Sequence, residues 1–195
     1  MTPTRLTLAL VAATALASCQ NKTEAPAGDS MAPAATSTVA SNDPIATAES
    51  AAPASISKAA AVITMDAAGK MTELRKGTNG WTCMPDNPET PGPDPMCMDG
   101  NAATWAMAWV GHKAPPTDQP GVMYMLKGGT DASNTDPYAT KPTEGADWIS
   151  TGPHLMVVGS TAVLKGYPSG PSPDTKAPYV MWGGTPYAHL MIPTG

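Results

Sequence analysis

The chain has 195 residues, enough for one folded domain with appendages, and a formal net charge of −5 from 11 basic and 16 acidic residues. That balance argues against binding to a nucleic-acid backbone, which needs clustered Lys and Arg. Charged residues make up only 14% of the chain, Pro and Gly number 22 and 18, and 13 Met stand beside no Phe. The first aromatic residue is Trp81, so a front built of small residues precedes an aromatic-bearing body.

Arg5 and the apolar run Leu6 to Leu16 open the chain. The run is too short to span a bilayer, which takes about 20 residues, and it fits the core of a secretory signal. It ends in Leu16-Ala17-Ser18-Cys19. This tetrapeptide resembles the lipobox of bacterial lipoprotein precursors. The resemblance implies cleavage before Cys19, a lipid anchor on its thiol, and an address in the cell envelope facing the periplasm. Gln20 in place of Asp lacks the usual inner-membrane retention signal, so outer-membrane routing is expected. Residues 1–18 are thus read as a signal peptide. Residues 19–57, rich in Ala, Ser, Thr and Pro, are read as the lipidated Cys and a disordered tether.

Residues 58–195 are read as one globular domain. Ala60 to Asp66 predicts a strand, Ala67 to Lys70 a turn, and Met71 to Lys76 a return strand. Five prolines separate Cys83 from Cys97 and exclude regular structure between them. An exported protein folds in an oxidising compartment, which favours a Cys83–Cys97 disulfide; a two-Cys metal site is the rival, without finger spacing to support it. Asp99 to Val110 is the main helix, with Asp99 as its cap, Gly111 as its stop, and Trp105 and Trp109 four apart on one face. Gly121 to Lys127 predicts a strand with Val122, Tyr124 and Leu126 on one side and Met123 and Met125 on the other.

The stretch from Asp131 to Trp148 is polar. Asp131, Asn134, Asp136, Tyr138 and Trp148 are candidate ligand-binding residues there, although Asn and Asp also favour turns in their own right. Its spacing fails the EF-hand pattern. An approximate echo follows: His154-Leu155-Met156-Val157 and His189-Leu190-Met191-Ile192. Each reads as a strand start with His and Met on one side. If those strands pair, two imidazoles and two thioethers share a face. That donor set suits copper, with His154, Met156, His189 and Met191 as ligands. The competing reading makes Met a flexible core filler in the absence of Phe. Thr161 to Gly166 predicts a short helix, Tyr167 to Pro178 an extended loop, and Tyr179 to Trp182 a strand.

No nucleophile elbow, phosphate loop, dinucleotide fingerprint or His-Glu-x-x-His motif is present in the sequence. The segments GTNGWTC, DPMC, DASNTDPYAT, GPH and HLMIP resemble exported bacterial proteins, and the resemblance brings no activity with it. The expected fold class is α+β, a small, mostly antiparallel sheet with one main helix and long Pro/Gly-rich loops. The expected function is a lipid-anchored binding or accessory domain, meeting the membrane through its anchor. The alternatives are a copper-handling lipoprotein and an envelope hydrolase drawing on Asp131, Asp136, Glu144 and Asp147.

Overall fold

The computed structural model describes residues 43–195; the signal segment, Cys19 and the first part of the expected tether lie outside the described residues. Helices α1 (Pro44–Glu49) and α2 (Ala54–Ser57) lead into the hairpin β1 (Ala61–Met65) and β2 (Met71–Arg75). Strands β3 (Thr82–Met84) and β4 (Met96–Met98) precede helix α3 (Gly100–Val110) and strand β5 (Asp118–Met125). Then come β6 (Gly129–Asp131), β7 (Ile149–Thr151), β8 (His154–Ser160), a single 3-10 turn (Ala162–Leu164), β9 (Tyr179–Met181) and β10 (His189–Pro193). Eight strands form one sheet in the order β2-β1-β3-β4-β5-β8-β10-β9, and β6-β7 form a separate ribbon. Among the described residues only the β1–β3 pair is parallel. The class is therefore mixed α/β with a mostly antiparallel sheet and few helices. At eight strands the sheet is larger than the small one expected.

Local chemistry accounts for the elements that the sequence foretold. Asp66 closes the β1–β2 turn by accepting from the Ala68 and Lys70 amides at 3.0 and 2.9 Å. Asp99 does two jobs at once. One carboxylate oxygen caps α3 at the Ala102 amide (2.8 Å), and the other accepts from Val122 in β5 (2.9 Å). Helix and strand touch at Gly121, where a Cβ would lie 2.2 Å from the Ala102 nitrogen. Only glycine permits that approach.

The tether expected over residues 19–57 does not extend through residues 44–57. Asp43 caps α1 at the Ile45 amide, and Pro44 occupies its first turn, where a missing N–H costs nothing. Ala48 and Ala51 are fully buried. The Ala51 carbonyl accepts from Leu126 (2.9 Å), and the Ala48 carbonyl lies 3.6 Å from Cys97 Sγ. Glu49 pairs with Lys58 and Arg75, and Arg75 also donates to the Ser57 and Ala60 carbonyls. Alanine carries little apolar surface, which is why the segment reads as coil. Its small side chain also lets a helix backbone lie directly on a strand, and here that close approach supplies the burial.

The sheet has two different faces. On one, Val62, Cys83 and Cys97 pack with Ala48, Ala51, Ala52 and Ala60. Cys83 and Cys97 sit directly opposite one another on β3 and β4 and are disulfide-bonded. On the other, Met98, Met123, Met125, Met156, Met181 and Met191 form a core with Val158, Tyr179, Ala102, Trp105, Trp182 and Tyr187. Helix α3 covers this second face.

Candidate functional site

Strand register places the methionines of the second face in rows. Met98 lies opposite Met123, Met123 opposite Met156, and Met156 opposite Met191. Directly opposed residues on antiparallel strands point to the same side, with Cβ atoms about 5 Å apart. The four thioethers thus cross β4, β5, β8 and β10 in one line.

Two histidines share that face. His154 is two residues from Met156 in β8, and His189 is two residues from Met191 in β10. The two strands do pair, antiparallel, and His154 stands opposite Pro193 rather than His189. The imidazoles therefore flank the Met156–Met191 pair from opposite ends, about 13 Å apart along the strands at the usual rise. They make two poles of one face.

Both rings are buried, at 1% and 2% exposure. His154 Nδ1 bonds the Gly152 carbonyl at 2.7 Å, and His189 Nδ1 bonds the Tyr187 carbonyl at 3.0 Å. A carbonyl only accepts, so each Nδ1 carries the proton and each Nε2 keeps a lone pair. Neither Nε2 has a hydrogen-bond partner. A buried polar atom left unpaired costs about 1–3 kcal/mol, so two on one face call for a reason. The arrangement is also the one that orients a metal-ligating imidazole: a backbone carbonyl fixes the tautomer and leaves the other nitrogen free. Burial lowers the pKa of both rings, that of His189 to about 4, with the Tyr187 carbonyl opposing the shift and the charge of His154 on the adjoining strand adding to it. Both are neutral, ligand-competent imidazoles at pH 7.

Each pole has its own surroundings. His189 sits 5.3 Å from the Trp105 ring and 4.9 Å from Trp182, both edge-on. Trp182 adopts φ 56°, an uncommon backbone state for a bulky residue. Its amide is held by the Asn134 carbonyl and its indole by the Ser133 carbonyl. At the other pole His154 lies opposite Met125. A Cβ at Gly129 would meet the Met125 methyl at 3.0 Å and His154 Cε1 at 3.3 Å, so all three crowd one point. Among the described residues no group of three or more His, Cys, Asp or Glu gathers at metal-binding distance. An ion on this face would take thioethers beside imidazole.

The polar-loop residues proposed for ligand binding make mostly local and structural contacts. Asn134 is 1% exposed, and its amide donates to the Gly170 and Val180 carbonyls at 2.7 and 3.1 Å. It ties the loop to β9. Asp136 accepts from the Tyr138 amide within its own turn. Tyr138 stacks on His112 with centroids 4.0 Å apart and donates to the Trp109 carbonyl. Trp148 is half-buried and immediately precedes β7. Asp131, in β6, is pushed up to about 7 by burial and by the charge of Asp94, which lies in the Cys83–Cys97 loop. Of the four acids considered for hydrolysis, Asp136, Glu144 and Asp147 are exposed and Asp131 is half-buried.

Met123, Met125, Trp105 and Trp182 belong to the site and were not among its expected ligands. The alternation in Gly121 to Lys127 already put Met123 and Met125 on one side; what was missing was which strand they would face. Comparison of the chain with protein-family models, with curated proteins and with solved structures gave no match.

Proposed function

We propose that this chain is an envelope copper(I)-handling module, exported and held at the membrane by a lipid on Cys19. The observation that carries the metal reading is the pair of buried imidazoles with free Nε2 lone pairs on a methionine-lined face. Copper(I) is soft and singly charged. Thioethers and neutral imidazoles match it without the carboxylates that harder cations require. His154 with Met125 and Met156 forms one donor set, and His189 with Met191 forms the other. The apolar wall of Trp105 and Trp182 excludes water from the second. The Cys83–Cys97 bond removes the thiols that would otherwise compete for the ion.

The test is competition for copper(I) against a chromogenic chelator under anaerobic conditions. The purified domain is expected to take at least one equivalent at micromolar affinity or better. His154→Leu and His189→Leu should each remove a site or weaken uptake about tenfold or more, with zinc(II) not retained. A folded wild-type protein that takes no copper(I) overturns the proposal. Mass spectrometry of the mature chain checks the anchor separately: an unmodified thiol at Cys19 would remove it.

A further inference from the structure

Both imidazoles are enclosed, so an ion that reaches them needs a way in. A second row of donors runs beside the first. Met84 lies opposite Met96 on β3 and β4. Cys97 faces Tyr124 and Met98 faces Met123, so continuing that register by one residue sets Met96 opposite Met125. Met125 lies opposite His154. Met84, Met96, Met125 and His154 therefore occupy successive strands in one line, each on the face covered by α3.

Burial grades along the line. Met84 and Met96 are half-buried, Met125 is 6% exposed and His154 1%. The outer end also carries negative charge. Asp86 and Asp94 lie two residues from Met84 and Met96, on the loop that joins them. Asp86 accepts from the Asp94 amide at 2.7 Å, which brings the two acids to one place. The loop lies against β6, since a Cβ at Gly92 would stand 2.5 Å from Thr130 Oγ1, and Asp131 follows there. Asp86 and Asp94 thus stand together on the loop beside the half-buried thioethers, with Asp94 also accepting from the Asn87 amide and the Thr90 hydroxyl. The inner end is an unpartnered Nε2.

We propose that Asp86, Asp94, Met84 and Met96 form the access route by which copper(I) reaches His154. This rests on the copper(I) reading above. The carboxylates raise the local concentration of cations. The half-buried thioethers then strip the ion of water and pass it inward by ligand exchange, one strand at a time. Neutral sulfur donors spaced by one strand let each new bond form before the last is lost, so the ion never crosses the apolar interior bare. No electron or proton moves in these steps.

The experiment is rapid-mixing transfer of copper(I) from a chromogenic chelate to the apo domain, paired with equilibrium competition on the same samples. Met84→Leu/Met96→Leu keeps size and apolarity and should fold as wild type. It is expected to slow the second-order transfer rate about tenfold while equilibrium affinity stays within about threefold. Asp86→Asn/Asp94→Asn should slow transfer less and remove most of its salt dependence. Unchanged transfer rates in both variants overturn the route and leave the copper(I) reading standing. A loss of affinity as large as the loss of rate makes Met84 and Met96 final ligands and also overturns it. Wild-type protein that takes no copper(I) removes both.

Discussion

The two faces of the central sheet solve the problem of filling an interior in opposite ways. Under α1 and α2 the buried side chains are alanine, valine and a disulfide, with Ile45, Ile56, Trp81 and Tyr124 packed at the margin and no methionine among them. Under α3 the side chains are methionine, tryptophan, tyrosine and histidine, long or flat, with two imidazole nitrogens left unpaired. A covalently stapled face of small residues holds shape by itself. A face of thioethers tolerates a guest, because methionine has three rotatable bonds and repacks at little cost. The difference assigns stability to one side of the sheet and adaptability to the other.

The sharpest way to break that division is to remove the staple. Cys83→Ala/Cys97→Ala opens a loop of about 15 residues and is expected to cost about 3 kcal/mol in urea denaturation, with copper(I) uptake unchanged. A changed metal stoichiometry would show that the faces are not independent.

The second test is His189→Leu. At pH 7 it removes an orphaned nitrogen but leaves the Tyr187 carbonyl unpaired, so stability should move by no more than about 1 kcal/mol. Below neutrality the comparison changes sign. Burial holds the ring at about 4 when folded, against the ordinary imidazole value of 6.5 when unfolded, so the unfolded chain binds the extra proton between those limits. Wild-type stability from this residue is present above pH 6.5 and is lost as pH falls toward 4. The variant lacks that loss and should gain on wild type by about 1 kcal/mol per pH unit across the window. Parallel denaturation curves at pH 7 and pH 4.5 decide it.

The smallest effect is expected at Asp131, on the ribbon beside the His154 pole. Its carboxyl is pushed up to about 7 when folded, against the ordinary 3.8, because burial and the Asp94 charge penalise ionisation. The sign is opposite to that of His189: the contribution to stability is greatest at low pH and is lost as pH rises toward 7. Asp131→Asn is expected to raise stability by about 1 kcal/mol at pH 8 and to leave it nearly unchanged at pH 4. An equal gain at both values would mean that charge is not the cause.

Much of this was legible in the sequence, and the omissions share a cause. The helix over Gly100–Val110 was readable from Asp99, the alanines and Gly111, all local signals. The β1–β2 hairpin and the strand starts at His154 and His189 were readable for the same reason. The methionine rows were not. They depend on β5 lying between β4 and β8, and strand order is set by contacts far apart in the chain. The alternation around Met123 was visible, but its partner in β8 was not. Residues 44–57 were misread because alanine signals coil by composition and earns its burial only through a neighbour, here β3 and β4.

Gly121 carries a consequence for the whole second face. Because the N-terminus of α3 rests on β5 where no side chain intervenes, the ceiling over the thioethers is held at its lowest setting. A single methyl group there would jack up one end of that roof. The methionine core beneath is confined by an atom the chain omits.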